Sequence, residues 1–300
     1  MGVILIVLCA FAGCSETAGN PDITGQDETE TIIIGGKPFN EQYILAEMLA
    51  LLLENAGYET EIKSGMNDIT LYEGIKKDQV DVYVEYTGTA YSQLLKLPPL
   101  ETWEPDVVYN NVVSGLATDG ITVLCRLGFR DDYTIAVRKD WADEYNVRTI
   151  EDLTPYAGDM VFGSDLVFHE REDGLPRITE VYGITFKDVK PMSPTLVYEA
   201  IANEQVDAIP PYTTDSRVDL YALQTLEDTK AALPPYETMI VLRDELAGNE
   251  KIASALLVLE DRIDTETMRR LNAEFDIDKR DARAIALDYL ESVGLIVLKD

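Results

Sequence analysis

Histidine is almost missing from this chain: His169 stands alone among 300 residues. That removes the usual material for a histidine-built metal centre and for a Ser–His or Cys–His nucleophile. His169 sits in a run of charged residues, HEREDG, where a lone solvated histidine is the ordinary reading. Cysteine is scarce as well. Of the 3 present, Cys9 and Cys14 fall near the N-terminus, which leaves Cys125 alone in an apolar segment. No disulfide framework can form, and Cys125 is expected to be a small buried hydrophobe. Basic charge is the third shortage: 25 Lys and Arg oppose 55 Asp and Glu, a net charge of −30. Such a surface repels nucleic acid and anionic membranes, so neither is expected as a partner. The acidity is spread along the chain without forming a tail, which fits a solvated surface. No phosphate-binding GxxxxGK[ST] loop is present. The pairs Asp131-Asp132 and Glu227-Asp228 lack the spacing of a calcium loop. An enzyme with a nucleophile–base pair, a metal or a phosphate loop is therefore disfavoured, and no cofactor is expected.

Long apolar runs are also few. Val3 to Ala12 is the notable one, of signal-peptide length and too short to span a bilayer. It runs into Phe11-Ala12-Gly13-Cys14, which resembles a lipoprotein lipobox, small residues before a cysteine that is lipidated to become the mature N-terminus. Phe11 stands where leucine is usual, and no Lys or Arg precedes the run; an ordinary cleaved signal peptide is the alternative. Residues 15–30, SETAGNPDITGQDETE, are polar and acidic and are expected to form a disordered tether.

What the chain does have is enough apolar residues for real cores, at 46%, and a tyrosine excess, 16 against 7 Phe and 2 Trp. From Thr31 strand and helix patterns alternate. TIIIG reads as a buried strand, and Asn40 as the N-cap of a helix over 41–55, whose Ile44, Leu45, Met48, Leu51 and Leu52 keep helical spacing. Gly57 supplies a stop. Strands over 58–63 and 80–86 flank a helix over 69–77, and this β-α-β-α-β order predicts a parallel sheet with helices on both faces. A second set follows. Strands are expected over 133–138, 160–164 and 206–209, with a short helix over 150–156 and another from Pro194 to about Glu204. A further strand over 238–242 precedes three amphipathic helices between Glu245 and Val293, too few and too helical for a domain, which are expected to pack back on the first sheet. The reading is an α/β chain with two lobes, 31–130 with 236–300 and 131–235, joined by two crossings near Asp131–Tyr133 and Leu233–Tyr236. Ligands of such folds bind in the crevice at the carboxyl ends of strands. In VDVYVEYTGTAYSQLL, Tyr86 occupies such an end, at the break marked by Thr87-Gly88.

The segments GGKPFNEQYILAEMLALLLENAGY and DVYVEYTGTAYSQLL, with Arg171-Glu172-Asp173-Gly174 and Pro211-Tyr212-Thr213-Thr214-Asp215 in order after them, resemble the glycine betaine/choline-binding lipoproteins of ABC transporters. The resemblance covers roughly residues 31–300. It implies a two-lobed type II periplasmic-binding-protein fold, each lobe a mostly parallel sheet flanked by helices, with two hinge crossings. It implies a box of tyrosines for a quaternary ammonium, carried onto Tyr86, Tyr133, Tyr212 and Tyr236, with Asp131 lining the box. It implies a carboxylate grip by Lys37, Thr89 and Arg171, and a lipidated Cys14. Taken alone, Lys37 reads as an exposed loop lysine and Arg171 as part of a charged loop. Trp103, Trp141, Tyr83 and Tyr91 lie outside the matched positions and read as structural.

The chemistry is coherent. A trimethylammonium group has no N–H to donate, so the negative faces of aromatic rings suit it, at roughly 0.5–2 kcal/mol per contact. A carboxylate needs the reverse, and Arg171 offers a fork. The implied role is the extracytoplasmic receptor of an importer, monomeric, delivering its ligand to a membrane permease driven by a separate ATPase chain. Choline, carnitine, proline betaine or an amino acid are the alternative ligands. A surface sensor and an enzyme on the same fold are the more distant alternatives.

Overall fold

The computed structural model describes residues 31–165 and 168–296. The expected signal segment, Cys14 and the tether of residues 15–30 lie outside the described residues. Among the described residues, ten strands form two five-stranded sheets. The first has the order β2-β1-β3-β10-β4, from β1 (Thr31–Gly35), β2 (Glu59–Lys63), β3 (Val82–Tyr86), β4 (Ile121–Arg130) and β10 (Glu237–Arg243). The second has the order β7-β6-β8-β5-β9, from β5 (Ile135–Arg138), β6 (Val161–Ser164), β7 (Asp188–Pro191), β8 (Ala208–Ile209) and β9 (Leu223–Leu226). The β1 strand pairs in parallel with β2 and β3, while β10 runs antiparallel to β3 and β4. The second sheet repeats the scheme, with β5 the reversed strand between β8 and β9. Four of the five strands in each sheet thus share one direction. In both sheets the reversed strand is the one that enters directly from a crossing.

Both sheets are covered on two faces. On one face of the first lie the Asn40–Asn55 helix and the three C-terminal helices Glu250–Leu257, Thr265–Asp276 and Ala282–Ser292. Their Leu49, Leu53, Leu256, Met268 and Leu290 are essentially solvent-free, each worth about 1.5–3 kcal/mol of burial. The expectation that the C-terminal helices return to the first sheet is met. The other face takes the Asp68–Ile75 and Pro105–Ala117 helices and packs Tyr83, Tyr91 and Trp103. Cys125 is buried in the first core, as its apolar setting predicts, and burial pushes its thiol up to about 12.

Some local expectations need correction. Asn40 is the first helical residue and not the cap; Phe39 caps with extended backbone, and the Asn40 side chain bonds Asp276 instead. The helix expected over 150–156 is one 3-10 turn, Glu151–Leu153. Tyr133 precedes its strand and forms an isolated bridge to Tyr212. The stretch after Tyr86 is a single α turn, Thr87–Thr89, running into a π turn, Ala90–Leu94. Strand β4 and the Pro105–Ala117 helix had no expectation at all.

The chain passes between the sheets twice, from β4 to β5 and from β9 to β10, and the two passages are tied together. The Asp131 N–H donates to the Tyr236 carbonyl at 3.0 Å, and the Tyr236 N–H donates to Asp132 Oδ1 at 2.6 Å.

Candidate ligand-binding site

Tyr86 ends β3 opposite Thr238 of β10, so it stands at the crevice edge of the first sheet, beside the second crossing. Next to it, the Thr87 hydroxyl donates to the Pro235 carbonyl at 2.8 Å and accepts from the Glu237 N–H at 3.0 Å. At Gly88 an added Cβ would lie 2.8 Å from the Tyr236 ring and 2.9 Å from the Pro235 oxygen. The glycine is therefore what lets Tyr236 lie against this turn.

Tyr133, Tyr212 and Tyr236 come together from three separate stretches. The rings of Tyr133 and Tyr212 are 4.5 Å apart, and their hydroxyls hydrogen-bond at 2.6 Å. Tyr236 meets Tyr133 edge-on at 6.1 Å, and Phe168 backs Tyr133 at 5.0 Å. The Arg171 guanidinium is 5.9 Å from the Tyr133 ring centroid and donates to the Tyr236 hydroxyl at 3.4 Å. It is also clasped by Asp173 through Nε and Nη2, at 2.8 and 2.7 Å. That hydrogen-bonded carboxylate holds the guanidinium charge even more firmly than usual. Tyr212 keeps 39% of its surface exposed, the most open ring of the set.

Tyr86 is different. It is buried, its ring packs on Phe39 at 6.0 Å, and it makes no ring contact with the other three among the described residues. Its hydroxyl donates to Glu41 Oε1 at 2.7 Å and accepts from Gln42 Nε2 at 3.0 Å. Lys37 is buried too. Its ammonium pairs with Glu85, and with Asp68 at 2.8 Å, and stands 4.9 Å from the Tyr86 ring centroid. The lysine is thus committed to two carboxylates of its own lobe. Thr89 is buried, and its hydroxyl makes no hydrogen bond among the described residues.

Asp131 lies between these two groups. It accepts from the Thr214 hydroxyl at 2.7 Å and faces Glu41. Burial, and then the Glu41 charge, push the Asp131 carboxyl well above the usual carboxylate range. Burial likewise raises Glu41, against the hydrogen bonds that Tyr86, Thr214 and Asn272 give it. A cation placed here would relieve both carboxylates. Glu41 and Asn272 were missed in the sequence. An acid in a helix's first turn ordinarily faces water, and only the fold brings Asn272 to it, with Nδ2 donating to Glu41 Oε2 at 3.1 Å. His169 and Trp141 have structural surroundings: His169 Nδ1 lies 3.2 Å from the Asp165 carbonyl, and Trp141 stacks on Tyr145. No group of acidic, histidine or cysteine side chains suited to a metal ion occurs among the described residues.

Residues 30–292 match the family model described as the substrate-binding domain of the ABC-type glycine betaine transport system. The chain belongs to this family. It is 30% identical over 89% of its length to a protein of Helicobacter pylori named ergothioneine transport permease/ergothioneine binding protein, of which it spans about half, 48%. It is 29% identical to the glycine-betaine-binding protein of Pseudomonas aeruginosa, over 91% of each chain. Among solved structures it superposes on one titled glycine betaine/carnitine/choline ABC transporter, with TM-score 0.83 and 27% identity, over 88% of this chain and 99% of that one. The fold is the two-lobed type II periplasmic-binding-protein fold. Members of the family are extracytoplasmic substrate-binding proteins that deliver small molecules to a transporter's permease.

Proposed function

We propose that this chain captures glycine betaine or a closely related quaternary-ammonium zwitterion between its lobes and hands it to a membrane permease powered by a separate ATPase chain. The observation that carries this reading is the cluster of Tyr133, Tyr212 and Tyr236 with a guanidinium beside the Tyr133 face. Rings that already attract a cation of the chain itself suit a trimethylammonium group, which needs no hydrogen-bond acceptor. Asp131 and Glu41 add negative charge behind them. Arg171, still clasped by Asp173, turns part of its fork to the ligand carboxylate, with the Thr89 hydroxyl as a second donor. Lys37 acts on Tyr86 and Glu85 and reaches the ligand through them.

Three or four ring contacts at roughly 0.5–2 kcal/mol each, with the charged partners, suffice for about micromolar affinity after association costs. The lobes close by movement at the two crossings. The protein acts as a monomer, carries out no reaction on its ligand, and is held at the outer face of the membrane by a lipid on Cys14. Labelling with a radioactive fatty acid that is lost in Cys14→Ser checks the anchor. Calorimetric titration of the purified protein with glycine betaine checks the function: saturable heat is expected, and an inert trace at millimolar ligand contradicts it. Arg171→Ala is expected to weaken glycine betaine far more than choline, which lacks the carboxylate.

A further inference from the structure

Tyr212 is the most open ring of the cluster. Packing does little to aim so exposed a ring, and its backbone must do it. The segment that carries it is held from two sides. On one side it is joined to the first crossing. The Thr134 N–H donates to the Pro211 carbonyl at 3.1 Å, the Thr213 N–H to the Asp132 carbonyl at 3.0 Å, and the Thr213 hydroxyl to the Arg130 carbonyl at 2.7 Å. On the other side it meets the Thr265–Asp276 helix, which is anchored in the core of the first lobe by Met268 and Leu271.

Arg269 reaches from that helix to the second lobe. Its Nε and Nη2 both donate to the Thr213 carbonyl, at 3.1 and 2.8 Å, and its Nη1 donates to Asp219 Oδ1 at 3.1 Å. Three residues on, and so on the same helix face, the Asn272 amide donates to the next carbonyl, that of Thr214, at 3.0 Å. The two side chains thus take successive carbonyls just after Tyr212. A carbonyl oxygen has two lone pairs, and a guanidinium can fill both from one rigid plane, which a lysine ammonium cannot. Among the described residues Arg269 makes no hydrogen bond or ring contact with a tyrosine of the cluster, so any effect it has on them passes through the backbone.

We propose that Arg269 is a positioning residue for the ligand: through the Thr213 carbonyl it aims the Tyr212 ring at the trimethylammonium group. It also ties that aim to the arrangement of the lobes. Arg269 stands on the first lobe, and Thr213 and Asp219 on the second, so parting the lobes draws the guanidinium off the carbonyl and frees the ring as the ligand leaves. This rests on the betaine reading above.

The test is a double-mutant cycle between Arg269 and Tyr212, read by calorimetric titration of the full chain with glycine betaine. Arg269→Met keeps an unbranched stem and removes the fork; it is expected to weaken binding about fivefold, within the range of one lost ring contact. Tyr212→Ala is expected to weaken it by at least as much. Because Arg269 acts through that ring, adding Arg269→Met to Tyr212→Ala should cost no more than about a further twofold. A full additional loss in the double variant overturns the proposal, and so does parent-like binding by Arg269→Met. Arg270→Met is the control: Arg270 lies on the same helix, bonds Glu274 at the surface, and should leave binding within about twofold of the parent.

A second measurement needs no ligand. Hydrogen exchange in the peptide spanning residues 211–216 is expected to be at least about tenfold faster in Arg269→Met than in the parent, with the strands of both sheets unchanged. Unchanged exchange in that peptide overturns the proposal. Failure of the parent to bind glycine betaine removes the betaine reading, while the exchange result still upholds or overturns the hold of Arg269 on the segment. Should Arg269→Met fail to fold, Arg269→Lys takes its place. It keeps the charge but lacks the fork, so weakened binding is again expected, and parent-like binding overturns the proposal.

Discussion

The two walls of the crevice are built on opposite plans. On the wall of the first lobe, Lys37, Glu85, Tyr86, Glu41 and Gln42 are buried and bonded to one another. On the opposite wall, Tyr212 and Tyr236 both lean on Tyr133, and a hydrogen bond joins the tips of Tyr133 and Tyr212. The first wall is fixed before any ligand arrives, because moving one member strands a buried charge. The second loses ring–ring contacts and one hydrogen bond between hydroxyls when it opens to admit a cation. Affinity is therefore expected to reside mainly in the second wall and rigidity in the first.

Removing one partner of the buried pair should have the largest effect on stability. Lys37→Met leaves Glu85 uncompensated at 0% side-chain exposure and is expected to cost about 3–5 kcal/mol in urea denaturation. Adding Glu85→Gln should recover much of that loss. If Lys37→Met is neutral, the fixed wall is not fixed by this pair.

Gly88→Ala joins the two walls' fates, since the new Cβ meets the Tyr236 ring and the Pro235 carbonyl. A loss of about 1–3 kcal/mol of stability is expected, together with weaker ligand binding as Tyr236 is displaced. Tyr133→Ala and Tyr236→Ala should do the reverse of Lys37→Met, changing stability less and weakening glycine betaine by about 0.5–2 kcal/mol each. Fluorescence-detected denaturation and calorimetry on the same samples separate the two effects.

How much of this contrast was legible in the sequence follows from distance along the chain. Strands β1 and β3 and the helix after Phe39 were readable because each carries its own period. The second wall was readable as tyrosines only through the resemblance; composition gave an excess of tyrosine and no positions. Of the first wall, the resemblance marked Lys37 and Tyr86, but their buried partners Glu85, Glu41 and Gln42 were not readable. Glu85 lies in a strand buried at all five positions, VYVEY, where a carboxylate is tolerable only because Lys37, 48 residues earlier, reaches it. Glu41 depends on Asn272, 231 residues away. Strand β4 is a different case, for its buried Cys125, Leu127 and Phe129 alternate with Arg126, Gly128 and Arg130 at the two-residue period of a half-buried strand, a signal the sequence did carry. Buried polar pairs with remote partners leave no local period, and pattern reading depends on one.

Asp131 sits where the walls meet and offers a smaller effect that depends on pH. Its carboxyl is raised, so the folded chain holds that proton more tightly than the unfolded chain does. Its contribution favours folding at acid pH and is lost as pH rises through the raised value. Asp131→Asn should therefore be more stable than the parent at neutral pH. The gain should vanish below the ordinary carboxylate range, about pH 4. The same variant should bind glycine betaine more weakly, having lost the charge. A stability gain independent of pH would remove the electrostatic explanation. Smallest of all should be the effect of salt on ligand affinity. At about 1 M the Debye length falls to roughly 3 Å, which screens charges in open solvent but affects contacts buried away from it much less, so a change within about twofold is expected.

The central claim is that the site recognises a cation without donors by its charge against aromatic faces and buried carboxylates, and not by its shape. The direct measurement is calorimetric titration with glycine betaine and with 3,3-dimethylbutanoate, which keeps the shape and the carboxylate but replaces the ammonium nitrogen by carbon. Saturable binding of glycine betaine with no measurable binding of 3,3-dimethylbutanoate is the predicted result. Comparable binding of the two, or none of glycine betaine, would contradict the account.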